Sequence, residues 1–239
     1  MQIDYNEGWT RWSGMVDYSP APFHRRRMIC NILKKIGADS VLDVGCGNGA
    51  LLSQVRNRMP ISCTGVDLSE AVLASNRERF PQIQFHSLDI SRAALEAKFD
   101  VVICSEVLEH IADVQSALAN LRRMCERYLL ITVPRGPVFP IDKAMGHVRH
   151  FTEDSLTQLL TSYGLEVLSF QEWGFPFHTA YKYFINLRPD DCLRRFAEGE
   201  YNLFERLVST TVRALFYLNL PSSGLQIVCL ARVTAASTE

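Results

Sequence analysis

Nowhere in the 239 residues do eighteen apolar residues run uninterrupted, so no segment reads as a membrane-spanning helix. None of the seven cysteines forms a C-x-x-C pair, which removes the ligand spacing of a zinc ribbon. An odd number of thiols, several of them inside apolar runs (Cys46, Cys104, Cys229), does not make a disulfide framework either. An excess of one charge is also missing. Lysine and arginine number 25 against 26 acids, a net charge of −1, so no global field draws in nucleic acid or an anionic membrane. The short basic clusters Arg25-Arg26-Arg27, Arg122-Arg123 and Arg194-Arg195 read as solvated helix faces. The opening MQIDYNEGWTRW has no basic-then-apolar pattern, and repeats and low-complexity segments are absent. The expectation is a soluble, cytoplasmic protein with reduced thiols. At 47% hydrophobic it can bury one sizeable core.

What is present centres on Val41–Leu52 (VLDVGCGNGALL). An apolar, β-prone run enters a loop with glycine at 45, 47 and 49, then a helix-compatible run. Glycines there free the backbone to take positive φ and clear space for a ligand, while the amides at the next helix start face an anionic or polar group. Before it, Met28, Ile29, Ile32, Leu33 and Ile36 recur at helical spacing from Phe23 to a stop at Gly37. After it, strands are expected at Ser62–Asp67, Ile83–Phe85, Phe99–Ser105, Tyr128–Val133, Leu165–Phe170 and Leu225–Arg232. Helices fall between them around Ala50–Arg58, after Ser69, over Val114–Cys125 and after Thr152. Continuously apolar strands alternating with helices predict an α/β, doubly wound, mostly parallel sheet. The chain divides into an N-terminal cap (1–38), a core (39–173), an aromatic-rich insert (174–220) and a last strand (221–233), all in one domain.

Ligands of such sheets bind outside the carboxyl ends of the strands. Asp43 falls with the first strand, Asp67 ends the second and Asp89 follows the third. Asp67 is set to accept both hydroxyls of a ribose, and Asp89 an exocyclic amino group of adenine, with Leu68 and Ile90 sandwiching the ring. Gly45–Ala50 also satisfies the dinucleotide pattern G-x-G-x-x-A. Asp43 argues against that reading, because a carboxylate beside the loop repels a pyrophosphate and suits an ammonium or sulfonium ligand. An NAD-dependent dehydrogenase is therefore the weaker alternative.

With these motifs together, the sequence resembles the class I S-adenosylmethionine-dependent methyltransferases. Val41–Gly49 matches that family's first motif, Gly65-Val-Asp67 its second, Leu88-Asp89-Ile90 its third and Phe99–Ile111 (FDVVICSEVLEHI) its fourth. The resemblance implies a seven-stranded sheet with an antiparallel last strand. It also implies S-adenosylmethionine as cofactor, held by Asp43, Gly45, Cys46, Gly47, Gly49, Asp67, Leu68, Asp89, Ile90, Ser105 and Glu106. The Glu106-Val-Leu-Glu109-His110 run is similar to one in ubiquinone-biosynthesis O-methyltransferases and small-RNA 3′-end methyltransferases, where metal binding is implied. Many relatives with the same run are not known to need metal, and none is expected to be required here.

If the segment turns helical, Glu106, Glu109 and His110 share one face. They then form a polar turn, a general base at His110, or the ligands of a divalent ion. His147 and His150, on the loop after the fifth strand, are further candidate bases. Methyl transfer to an oxygen, less readily a nitrogen, of a small organic acceptor is the expected activity. A catalytically silent cofactor-binding or scaffold protein is the alternative. Acceptor contacts are expected from Trp9–Phe23, the 135–150 loop and the 174–220 insert. Along that insert Tyr201, Phe204, Leu207, Val208, Thr211, Leu215 and Leu218 make an apolar helix face, open to a lipid-like acceptor, to packing on the sheet or to a second subunit in a homodimer.

Overall fold

The computed structural model describes residues 18–197 and 201–234. Within them lies a seven-stranded sheet in the order β3-β2-β1-β4-β5-β7-β6. Its strands are β1 (Ser40–Val44), β2 (Ser62–Asp67), β3 (Gln84–Ser87), β4 (Phe99–Ser105), β5 (Cys125–Pro134), β6 (Leu165–Trp173) and β7 (Gln226–Val233). The pairs among β1 to β5 are parallel, and β7 runs antiparallel between β5 and β6. The chain thus lays down β1, β2 and β3 outward in one direction, then crosses back to place β4 on the other side of β1. That reversal opens a crevice at the carboxyl ends of β1 and β4.

Helices cover both faces, which is why the central strands are apolar at every position rather than at alternate ones. Leu42, Val102, Cys104 and Ile131 pack with Leu118 and Leu121 of α4 (Val114–Met124) and Leu156 of α6 (Glu153–Thr161). Val41, Val101, Ile103 and Leu130 pack on the opposite face. There they meet Ile29 and Leu33 of α1 (Pro20–Ile36), Leu52 of α2 (Ala50–Arg56) and Leu73 of α3 (Glu70–Arg79). Prolines in the first turn open α1 and Gly37, at φ 61°, closes it. Ser69, Asp113 and Thr152 cap α3, α4 and α6 through their side chains.

A five-residue helix, α5 (Pro140–Ala144), stands in the loop after β5. The aromatic-rich stretch folds as α7 (Phe177–Ile185), α8 (Pro189–Ala197) and α9 (Leu203–Leu215), followed by a short 3₁₀ turn at Phe216–Leu218. Its aromatics divide between two environments: Phe216 is buried in the core behind Trp173, while Phe184 and Phe204 are exposed. The junction with α1 is a stack in which His24 and His178 lie on Trp173, at ring distances of 5.5 and 5.2 Å. β5 departs from the expected strand by starting at Cys125, directly out of α4. No helix among the described residues is long and apolar enough to cross a membrane.

Candidate active site

From Val44 the chain must turn into α2 within five residues. Gly45 and Gly47 do so at φ 73° and 51°, a region that a side chain disfavours. A Cβ on Gly45 would also lie 2.4 Å from a methyl of Val107. The loop is tied to β2: the Gly45 and Cys46 amides donate to the Val66 carbonyl at 2.8 and 3.0 Å. The Gly47 amide donates to Asp67 Oδ2 at 2.9 Å, and the Ser69 amide to Asp67 Oδ1 at 3.0 Å. Asn76 of α3 donates to the Gly47 carbonyl at 2.6 Å.

Beside this loop opens a cavity of about 630 Å³ whose wall includes Asp43, Gly45, Cys46, Asp67, Leu68, Asp89, Ile90, Ser105, Glu106 and His110. Asp43 is buried, and burial, reinforced by the Asp67 charge, pushes its carboxyl up to about 8. It is therefore mostly protonated at neutral pH until a cation beside it favours the ionised form. Burial also raises Asp67, against the opposing pull of its backbone hydrogen bonds. Asp89 accepts from the Ser91 amide and hydroxyl at 2.9 and 2.6 Å and pairs with Arg92 at 3.3 Å. Leu68, on the same wall, is 53% exposed.

The other wall comes from α1, which contributes Pro22, Arg25, Arg26 and Ile29. Arg25, expected on a solvated helix face, instead lines the cavity. Its position four residues before Ile29 continues the buried stripe of α1, a signal that this charge faces inward. Arg25 lies 3.5 Å from Glu106. Met145 and Asp113 also reach the cavity. Residues 174–220 contribute none of its described wall. The expected contacts from Trp9 to Asp17 lie outside the described residues.

The Glu106–His110 segment does not turn α-helical. Glu106 takes φ 58°, a left-handed conformation that ends the strand and starts no helix, and only Leu108–His110 makes a 3₁₀ turn. Glu106 therefore does not join Glu109 and His110 in one cluster of ligand atoms. Glu106 accepts from Gln226 at 2.7 Å and Thr132 at 3.1 Å, besides facing Arg25. Glu109 is fully buried with neither carboxylate oxygen hydrogen-bonded. Burial raises its acid well above the usual range, and the nearby Glu106 charge adds to the effect.

His110 faces the cavity, while His147 and His150 do not line it. They stand in file behind: the His110 and His147 rings are 4.7 Å apart, and His147 Nδ1 lies 3.0 Å from His150 Nε2. His150 in turn lies 3.6 Å from Asp142, which Lys182 neutralises. Burial lowers all three histidines, His147 to about 3, so they are neutral at neutral pH. Ligand-capable atoms of Glu109, His110 and His147 fall within 4.8 Å of one another, as do those of Asp142, His147 and His150. The unpartnered carboxylate makes the first group fit a divalent cation. In the second group Lys182 already occupies the acid. Glu106, held by three other residues, belongs to neither.

A crevice at the switch point of such a sheet, walled by acids from three successive strand ends, is the arrangement of the class I S-adenosylmethionine-dependent methyltransferase fold. Residues 19–170 match the family model described as "Methyltransferase domain", and the chain belongs to that family. Among curated proteins it is 36% identical over 111 residues to a ubiquinone biosynthesis O-methyltransferase of Pseudomonas paraeruginosa, covering 43% of this chain and 47% of that one. It is 39% identical over 89 residues to an uncharacterized methyltransferase of Mycobacterium tuberculosis, covering 36% and 45%. The chain spans about half the length of the curated relatives it matches. Among solved structures, the N-methyltransferase NodS of Bradyrhizobium japonicum with S-adenosyl-L-homocysteine superposes with a TM-score of 0.62 at 15% identity, over 98% of this chain and 100% of that one. A putative sarcosine dimethylglycine methyltransferase of Galdieria sulphuraria gives a TM-score of 0.64 at 13% identity, over 90% and 87%.

Proposed function

We propose that this protein transfers a methyl group from S-adenosylmethionine to an oxygen, or with lower preference a nitrogen, of a small organic acceptor. The observation that carries the reading is one cavity walled both by the strand-end acids Asp43, Asp67 and Asp89 and by a neutral histidine, His110. In this reading Asp67 accepts the ribose hydroxyls and Asp89 the adenine amino group, with the ring between Leu68 and Ile90. Asp43 faces the methionine ammonium and Arg25 its carboxylate, an ion pair in keeping with a cationic residue on this wall. When bound, the cofactor supplies a methyl already activated on a sulfonium sulfur and leaves as S-adenosylhomocysteine.

The chain's own task is then alignment and proton removal. His110, kept neutral by burial, takes the proton that an acceptor hydroxyl loses as its oxygen bonds to the methyl carbon. Met145, Ile29 and Pro22 give the rest of the cavity an apolar wall that suits an apolar acceptor. The near-zero net charge speaks against a nucleic-acid acceptor. A second reading rests on the orphaned carboxylate of Glu109: with His110 and His147 it would hold a divalent ion, which would lower the pKa of an acceptor hydroxyl.

Calorimetry tests the first step. Binding of S-adenosylmethionine with no response to NAD is expected, and the reverse would restore the dehydrogenase reading. Turnover of a panel of phenols, carboxylates and amines separates an enzyme from a silent binder. His110→Ala should lower turnover by about 10²–10⁴ with cofactor affinity retained; unchanged turnover removes His110 from the mechanism.

A further inference from the structure

We infer that the outer face of α9 is a docking surface for a second copy of this chain, two α9 helices packing antiparallel about a two-fold axis at Thr211. The inner face of α9 is already used: Ser209 and Phe216 are buried, and the Ser209 hydroxyl bonds to the Tyr18 carbonyl at the head of α1. The opposite face is apolar and open. Phe204, Leu207 and Leu218 are 73%, 65% and 64% exposed, with Val208 and Leu215 exposed between them.

The order of side chains along this stripe is symmetric about its centre. Counting from Thr211, Phe204 and, in the 3₁₀ turn that continues α9, Leu218 lie seven residues out, Leu207 and Leu215 four, and Val208 and Ala214 three. A two-fold axis there sets each large residue of one copy against a large residue of the other, and small against small, as an isologous interface requires. Thr211 and Ala214 allow close approach at the crossing, and the spacing is that of an antiparallel helix pair. Leu203, 85% exposed, extends the apolar surface at its flank.

Charge favours a protein occupant over a lipid one. A helix that lies on an anionic membrane lines its polar flanks with free lysines and arginines. Here the flanking cations turn onto the protein itself: Arg206 stacks over Tyr18 at 4.9 Å and Arg213 over Phe23 at 4.4 Å. The net charge of −1 adds no attraction.

Light scattering coupled to size exclusion, across a concentration series, should give twice the mass of this 239-residue chain. Leu207→Glu, a change at an exposed position, should halve that mass while leaving the melting temperature and S-adenosylmethionine affinity as they were. In a Cys192→Ser background, where the six other cysteines are buried, Thr211→Cys should oxidise to a covalent dimer. Wild-type protein that stays monomeric at about 100 µM overturns the proposal. So does a dimer that survives Leu207→Glu and leaves Thr211→Cys uncrosslinked, since its interface lies elsewhere. A monomer that sediments with phosphatidylcholine–phosphatidylglycerol vesicles, and is released from them by Leu207→Glu, would also overturn it, by giving the face to lipid.

Discussion

Asp67 illustrates how one side chain can serve the fold and the proposed ligand at once. Its two oxygens already take the Gly47 and Ser69 amides, so the glycine loop is shaped by the group proposed to hold the ribose. Asp67→Ala should weaken S-adenosylmethionine binding about a hundredfold, the loss expected for hydrogen bonds to a charged group. The change is read by calorimetry, with circular dichroism to confirm that the fold persists; unchanged affinity removes the ribose assignment. Asp43 makes a pH-dependent prediction. Raised to about 8 in the cofactor-free protein, it must lose a proton to face an ammonium group. Cofactor affinity should therefore climb from pH 6 toward pH 8, with proton release on binding, measurable in buffers of different ionisation enthalpy. Asp43→Asn should abolish that release.

At the scale of elements, α1 and the turn after β4 carry what strand-end motifs do not. α1 closes the cavity with Arg25, and Glu106, held by β5 and β7 through Thr132 and Gln226, keeps Arg25 in position. Arg25→Ala should raise KM for the cofactor about tenfold to a hundredfold with a smaller effect on kcat. A loss confined to kcat would instead assign Arg25 to the acceptor. The turn Leu108–His110 hides Glu109 under His110, a carboxylate without a partner that costs stability unless something compensates it. If a divalent ion does so, Mn²⁺ or Mg²⁺ should raise the melting temperature of the wild type and not of Glu109→Gln. Equal responses, or none, dispose of the metal reading.

For the whole molecule, buried titratable groups set a window of stability. His24, His110, His147, His150 and His178 are all lowered by burial, so the unfolded chain takes up protons before the native one as pH falls below about 6.5. Stability contributed by these groups is lost on that side. Asp43 and Glu109 are raised, so the native state holds protons that the unfolded chain gives up, and stability falls as pH rises from about 4 toward 8. The cofactor-free melting temperature should therefore peak near pH 6 to 7 and decline on both sides. Asp43→Asn should flatten the alkaline side, and a monotonic profile would contradict these burials.

The sequence by itself determined the succession of the seven strands and of helices α1 to α4 and α6, the glycine loop and the acids at successive strand ends. All of these are local signals: a buried strand is apolar along its length, a tight turn needs glycine, and a helix start needs a cap. Strands β2 and β4 match their expected limits, Ser62–Asp67 and Phe99–Ser105, residue for residue. What the tertiary structure decided is which side chains meet. Arg25 enters the cavity because α1 crosses that end of the sheet, and periodicity within one helix does not name its neighbour across space. His147 and His150 stand behind His110 rather than beside it, because the loop after β5 folds back onto Glu109 through the Val148 amide at 2.8 Å. Glu106 parts from Glu109 and His110 because its left-handed backbone ends the strand without starting a helix. Such outcomes depend on contacts between residues far apart in the chain, and on backbone angles that no run of neighbouring side chains dictates.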